Sequence, residues 1–181
     1  MEHFEEMCEA NPYLRTKRDL GRMMAAFDDP RALHVRLHTV YGGTPKSHMF
    51  LGQIVDAIRE SREFKMSHGQ QLREFHHVED VAAALIAILN HESGSQALLN
   101  TTMTLSSGEP VRLAELAQAI FEATGRKELL KVGAIHTPAG ENTERVFPRT
   151  ESHFMPRVRS AITGVTHWIR DVLDQSASTL T

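Results

Sequence analysis

The feature that most narrows the fold is a period-two run set between two helical ones. Residues 32–41, Ala-Leu-His-Val-Arg-Leu-His-Thr-Val-Tyr, alternate apolar and polar side chains and end at Gly42-Gly43, as a strand feeding a loop does. Before it, Leu14, Leu20, Met23, Met24 and Phe27 recur near helical spacing. Asp28-Asp29-Pro30 ends that helix, because proline disfavours helical backbone in the residue ahead of it. After it, Phe50, Leu51, Ile54, Val55 and Ile58 share one helical face. The alternation then continues, with extended pieces at 64–66 and 72–77 and an alanine-rich buried helix over 81–89 that Asp80 would cap. A short strand is expected at 96–100, a helix over 111–124 stopped by Gly125, and an amphipathic helix over 158–173 with a frayed end after Gln175. Residues 131–154, with Pro138, Gly140 and Pro148, read as loop with an occasional strand. Strands alternating with helices define the α/β class.

Bulk properties exclude several functions. A chain of 181 residues with 41% apolar content is sized for one domain with a real core. A net charge of −3, its 20 basic and 23 acidic residues spread along the chain, makes no field that gathers phosphate backbones, so nucleic acid is not an expected partner. Cys8 is the only cysteine, which rules out an intrachain disulfide and suggests a reducing, cytoplasmic compartment. No apolar run approaches the roughly 20 residues of a membrane span, and the acidic opening is unlike a signal peptide. The eleven histidines are scattered. Neighbours such as His76 and His77 point to opposite faces of a strand, and His34 and His38, which would face together, lack an evident third ligand, so no metal site is expected.

Tyr13 and Lys17, four apart on the first helix, should stack on one face. A free phenol ionises near pH ~10, and a neighbouring cation favours phenolate, which brings such a pair into range for general acid–base work. Tyr-x-x-x-Lys alone is a common surface pattern. It gains meaning from three segments downstream of it: Arg36-Leu37-His38-Thr39-Val40-Tyr41-Gly42, then Gly69-Gln70-Gln71-Leu72-Arg73-Glu74-Phe75-His76-His77-Val78-Glu79-Asp80, then Leu99-Asn100. In this order the chain resembles the extended short-chain dehydrogenase/reductase family of nucleotide-sugar epimerases, dehydratases and keto-reductases, well over 11–125 and more loosely beyond.

The resemblance implies the C-terminal portion of a Rossmann-like parallel sheet plus a small mixed α/β substrate-binding subdomain. Residues 1–45 would carry the catalytic helix and following strand of the dinucleotide-binding domain. Residues 46–181 would form the substrate part, interleaved with late Rossmann elements around 69–105. Tyr13 would be the acid/base and, with Lys17, would touch the nicotinamide ribose of NAD or NADP. Arg73 would meet the diphosphate of a nucleoside-diphosphate sugar, a task suited to a guanidinium fork. Arg149 would be a second phosphate contact, and Thr39 and Tyr41 would line the cleft. Thr39 stands where the family commonly has asparagine, Gly43 where it has proline, and Glu74 where aspartate is usual.

The largest departure is the lack of a glycine-rich turn to cradle a dinucleotide's pyrophosphate. The family's catalytic Ser or Thr also lies further upstream of its tyrosine than the twelve residues before Tyr13 reach. A fragment is therefore expected that is inactive and binds no cofactor by itself, with self-association or a homodimer covering its exposed sheet edge. A non-catalytic nucleotide-sugar-binding or interaction module is the alternative, as is a 4-keto-reductase parent activity. In the plainest reading Arg73 is a surface residue beside Phe75, Asp80 a helix cap, and Trp168, Met23 and Met24 core filling.

Overall fold

The computed structural model describes residues 8–9, 11–26, 33–90, 102–137 and 159–178. Helix α1, Pro12–Ala26, begins where Asn11 Oδ1 accepts from the amides of Tyr13 (3.0 Å) and Leu14 (3.4 Å), with proline in the first helical position, where it has no amide to satisfy. It sits on β1 at Gly21, where an added Cβ would lie 3.1 Å from the Arg36 guanidinium and 3.2 Å from the His34 ring. That seating leaves Leu20 and Met23 outward, Met23 70% exposed. The expectation that Met23 fills the core fails, because a helix resting on one short strand covers only its own underside.

Residues 32–41, expected as one strand, form two: β1, His34–Leu37, and β2, Thr39–Tyr41. Strand β1 pairs in parallel with β6, Thr102–Leu105, and β2 with β5, Phe75–His77. The chain thus changes partner at His38. The same division splits 72–77, where β4, Leu72–Arg73, pairs antiparallel with β7, Val111–Arg112, while β5 runs on past Glu74. The remaining strands, β3 (Phe64–Met66) and β8 (Leu130–Val132), pair in parallel behind a short 3₁₀ turn at Lys127–Leu129. The class is α/β, with short parallel sheet pieces of Rossmann-like kind beside a small mixed set. The strand expected at 96–100 and the stop at 28–30 fall outside the described residues.

Helix α2, Phe50–Arg59, buries Leu51, Ile54, Val55 and Ile58; α4, Leu113–Ala123, buries Leu116, Ile120 and Phe121. The helix expected from 111 begins two residues later because those two are spent on β7. Gly125, φ +66°, follows its C-cap at Thr124, a conformation glycine takes without penalty. Helix α5, Ala161–Ser178, continues beyond the expected fray at 175 and places Ala161, Val165 and Ile169 inward every four residues. These three helices enclose the main core, and truncating a side chain such as Phe121 to alanine should cost about 3–5 kcal/mol.

A smaller core holds Val81, Ala84 and Ile88 of α3, Val78–Leu89, with Met103 and Leu105 of β6. This helix starts three residues earlier than expected. Its cap is His77, whose side chain accepts from the Glu79 amide at 3.3 Å, and Asp80 lies inside the first turn. It is also only half buried: one face packs on β6, while Ile86 and Leu89 are exposed.

Candidate functional site

A cavity of about 550 Å³ opens where β2, β4 and β5 meet the N-terminus of α2. Thr39, Val40 and Tyr41 of β2 line it together with Arg73 and Phe75, and loop residues 43–46 and Trp168 of α5 form its walls. The loop can cross so near α2 because Gly52 faces the Lys46 carbonyl, a place a Cβ would occupy. Three of the residues the resemblance assigns to substrate, Thr39, Tyr41 and Arg73, therefore border a single space. Arg73 is half-buried, with its Nη1 donating to the Leu72 carbonyl at 2.8 Å. Arg149 lies outside the described residues.

Behind Arg73 is a buried polar knot. The Glu74 side chain, 1% exposed, accepts from Ser106 Oγ (2.9 and 3.0 Å), the Ser107 amide (2.8 Å) and hydroxyl (3.1 Å), and the Gly108 amide (3.4 Å). His76 Nε2 lies 3.2 Å from the same carboxylate and His38 Nε2 3.9 Å, the two rings meeting edge to face. His76 Nε2 also lies 3.3 Å from the Ser107 amide, and its Nδ1 has no hydrogen-bonding partner among the described residues. Burial holds His76 below its ordinary value, because the charged ring would lose its hydration there; the Asp80 charge opposes this. Glu74 also places the strands, since its carbonyl accepts from the Thr39 amide at 3.2 Å. His34 lies against Gly21 of α1, whereas His38 borders the Glu74 knot.

The opposite wall is aromatic. Tyr41, 4% exposed, packs edge-on against His77 at 5.2 Å and against Trp168 at 5.7 Å. Burial pushes its hydroxyl up to about 12, with the Arg159 charge lowering it and the Asp80 charge raising it. Asp80, expected as a cap, is instead a buried carboxylate 3.2 Å from Arg159 Nε, while Arg159 Nη2 reaches Glu79 Oε2 at 2.8 Å. Sequence patterning could not reveal this pair, because 79 residues separate its members. Trp168, expected in the core, packs half-buried against it and also walls the cavity.

Tyr13 and Lys17 share a face of α1, with Lys17 Nζ 5.4 Å from the centre of the Tyr13 ring. The ammonium thus sits near the ring itself, an arrangement worth roughly 0.5–1 kcal/mol when exposed. Tyr13 is 67% exposed, and neither residue belongs to the cavity lining. Among the described residues no group of three His, Cys, Asp or Glu could hold a metal, and no helix is long and apolar enough to cross a membrane. For a dinucleotide, the described residues offer the Tyr13–Lys17 pair but no glycine-rich turn leading from a strand into a helix. Gly42-Gly43 is followed by Pro45 and further loop before α2 begins, so a whole dinucleotide does not fit this set.

Residues 2–100 match the model of the NAD dependent epimerase/dehydratase family. Over 130 residues the chain is 28% identical to CDP-abequose synthase of Salmonella typhimurium, spanning 68% of this chain and 43% of that protein. Over 114 residues it is 32% identical to a probable GDP-L-fucose synthase 1 of Oryza sativa subsp. japonica, spanning 58% of this chain and 32% of that one. Among solved structures, the NAD-dependent NDP-hexosamine 5,6-dehydratase TunA superposes with a TM-score of 0.70 at 21% identity, over 93% of this chain and 54% of its own. A UDP-N-acetylglucosamine 4-epimerase from Methanobrevibacter ruminantium M1, in complex with UDP-N-acetylmuramic acid, superposes at 0.69 and 14% identity over the same shares. The chain spans about half, or less, of the length of each of these proteins.

Proposed function

This chain belongs to the NAD dependent epimerase/dehydratase family, and on that premise we propose that its cavity binds a nucleoside-diphosphate sugar for an epimerase- or dehydratase-type reaction. The observation that carries this is the convergence of Arg73, Thr39 and Tyr41 on one space of about 550 Å³, within the roughly 300–1,000 Å³ usual for ligand sites. Arg73 meets the diphosphate, Thr39 supplies a hydroxyl beside it, and Tyr41 and Trp168 wall the sugar or base. Arg149 adds a second phosphate contact. Tyr13, assisted by Lys17, exchanges a proton with the sugar hydroxyl or carbonyl.

NAD or NADP belongs to the family's chemistry, but the described residues of this chain offer no cradle for the dinucleotide pyrophosphate. The chain alone is therefore inactive, and no measurable NAD(H) or NADP(H) binding is expected. Residues 1–45 belong with the dinucleotide-binding domain and 46–181 with the substrate-binding part, interleaved with late Rossmann elements around 69–105. Exposed Leu20 and Met23 on α1 and Ile86 and Leu89 on α3 favour self-association, and the single cysteine fits a cytoplasmic setting.

Titration calorimetry with UDP, dTDP, CDP and GDP tests the site. At least one should bind, and Arg73→Ala should weaken it about 10- to 100-fold, the loss of a charge-assisted hydrogen-bonding group worth roughly 1.5–3 kcal/mol. Unchanged affinity in Arg73→Ala refutes the phosphate role. A second reading, a binding module without catalysis, is favoured by the exposure of Tyr13 and its place outside the cavity lining. If Tyr13 touches the sugar, Tyr13→Phe weakens a nucleotide sugar while leaving the nucleoside diphosphate alone. If both ligands bind Tyr13→Phe as well as wild type, the module reading stands.

A further inference from the structure

We propose that Asp80 and Arg159 are positioning residues, whose ion pair seats helix α5 against β2 and so sets the Tyr41–Trp168 wall of the cavity. Arg159 stands two residues before the first residue of α5 and reaches back to the first turn of α3, where it meets Asp80 Oδ2 at 3.2 Å and Glu79 Oε2 at 2.8 Å. The two arms differ in kind. Glu79 is 71% exposed, so water and salt screen its contact. Asp80 is 8% exposed, and Arg159 is the cation that the described residues bring to it.

Between the two helices lies Tyr41. Its hydroxyl has no hydrogen-bonding partner among the described residues and rests against Gly164, where a Cβ would overlap it. Helix α5 therefore meets the ring at the closest approach its backbone permits. No hydrogen bond from the Tyr41 hydroxyl fastens it there; what adds to apolar packing at this end is the charge pair one turn away. Trp168, on the next turn of α5, borders the cavity and also, with Asp171, a second open cavity, and loop residues 43–45 line both. Because it lines both, a small swing of α5 reshapes both spaces. His77 completes the linkage by capping α3, packing on Tyr41 and lying under Gly42, whose φ of +113° and contact with the ring exclude a side chain.

The effect on ligand rests on the nucleotide reading of the cavity, but the seating of α5 does not. Trp168 is the single tryptophan of the chain, so acrylamide quenching of its fluorescence reports the seat of α5 with no ligand present. Arg159→Gln and Asp80→Asn should each raise quenching of Trp168 and weaken UDP about five-fold; the double variant should be no worse than either single one, and Arg159→Lys should recover much of the loss. Glu79→Gln should stay within about two-fold of wild type. Should the neutral variants fail to fold, Asp80→Glu, which keeps the charge but displaces it, should raise Trp168 quenching. Wild-type quenching in Arg159→Gln, or in Asp80→Glu where that variant stands in, overturns the proposal, as does simple additivity of the two single effects. If wild type binds no nucleoside diphosphate while the quenching changes appear, the nucleotide reading falls and the positioning role remains.

Discussion

Replacing Glu74 tests whether a buried carboxylate, rather than apolar packing, ties the strand carrying Arg73 to the loop after β6. Glu74→Ala takes the shared acceptor from the Ser106 hydroxyl, the Ser107 amide and hydroxyl and the Gly108 amide, leaving the Ser107 amide only its longer contact to His76 Nε2 (3.3 Å) and the Gly108 amide that to Ser106 Oγ (3.2 Å), and removes a partner of His76. An orphaned buried donor costs roughly 1–3 kcal/mol, but hydroxyls can rotate and the loop can relax toward water, so the sum is bounded nearer about 4 kcal/mol. Glu74→Gln is milder. Its carbonyl can take the Oε2 position, where the Ser107 amide and hydroxyl and His76 converge, while its NH₂ donates to Ser106, so mainly the charge-assisted part of each bond is lost, about 2 kcal/mol in total. In thermal unfolding these correspond to drops of roughly 8–16 °C and 4–8 °C for a chain of this size. Hydrogen exchange gives the local reading, since the Ser107 and Gly108 amides should lose protection in both variants. A Glu74→Ala protein within about 1 kcal/mol of wild type, with those amides still protected, would refute the reasoning.

The same geometry carries other consequences. Because His76 is held below its ordinary value of 6.5, the unfolded chain takes up the proton first as pH falls. Stability contributed by neutral His76 is whole above pH 6.5 and is lost below it. His76→Asn should flatten the acid limb of a urea-midpoint profile by up to about 1.4 kcal/mol per pH unit, leaving a residual slope from His34, which burial and Arg36 also depress. Of the two tyrosines, Tyr41 should ionise late, at about 12, so the phenolate absorbance step in that range should vanish in Tyr41→Phe. Since its folded value lies above the ordinary 10, stability should also fall as pH rises beyond 10. Gly69→Ala should lower the urea midpoint by the equivalent of about 1–3 kcal/mol: φ is +62° and the new Cβ would lie 2.7 Å from the Ala114 amide nitrogen; no change would mean that this turn relaxes freely. Light scattering should show self-association, and a monomer at all concentrations would contradict it.

The elements that patterning located well are those whose burial is local. Helices α2, α4 and α5 each carry one apolar stripe at helical spacing, and that stripe both forms the helix and orients it toward the core. The four-residue spacing of Tyr13 and Lys17 likewise sufficed to place them on one face. Where several partners compete for one segment, patterning failed. The alternation through residues 32–41 is continuous, yet the backbone leaves β6 for β5 at His38, and those partners lie sixty-eight and thirty-six residues further along the chain.

Read alone, the chain determined its α/β class, its helical faces and the family order of Tyr13, Lys17, Thr39, Tyr41 and Arg73, because these depend on periods and spacings within a few turns of backbone. Only the tertiary structure decided that Thr39, Tyr41 and Arg73 border one cavity while Tyr13 stands outside it, that Glu74 is buried in a knot of donors, and that Asp80 answers Arg159 instead of capping a helix. Hydrogen bonds and ion pairs between distant segments form only once the apolar faces have packed, and one dimension of sequence carries no record of which polar groups that packing will bring together.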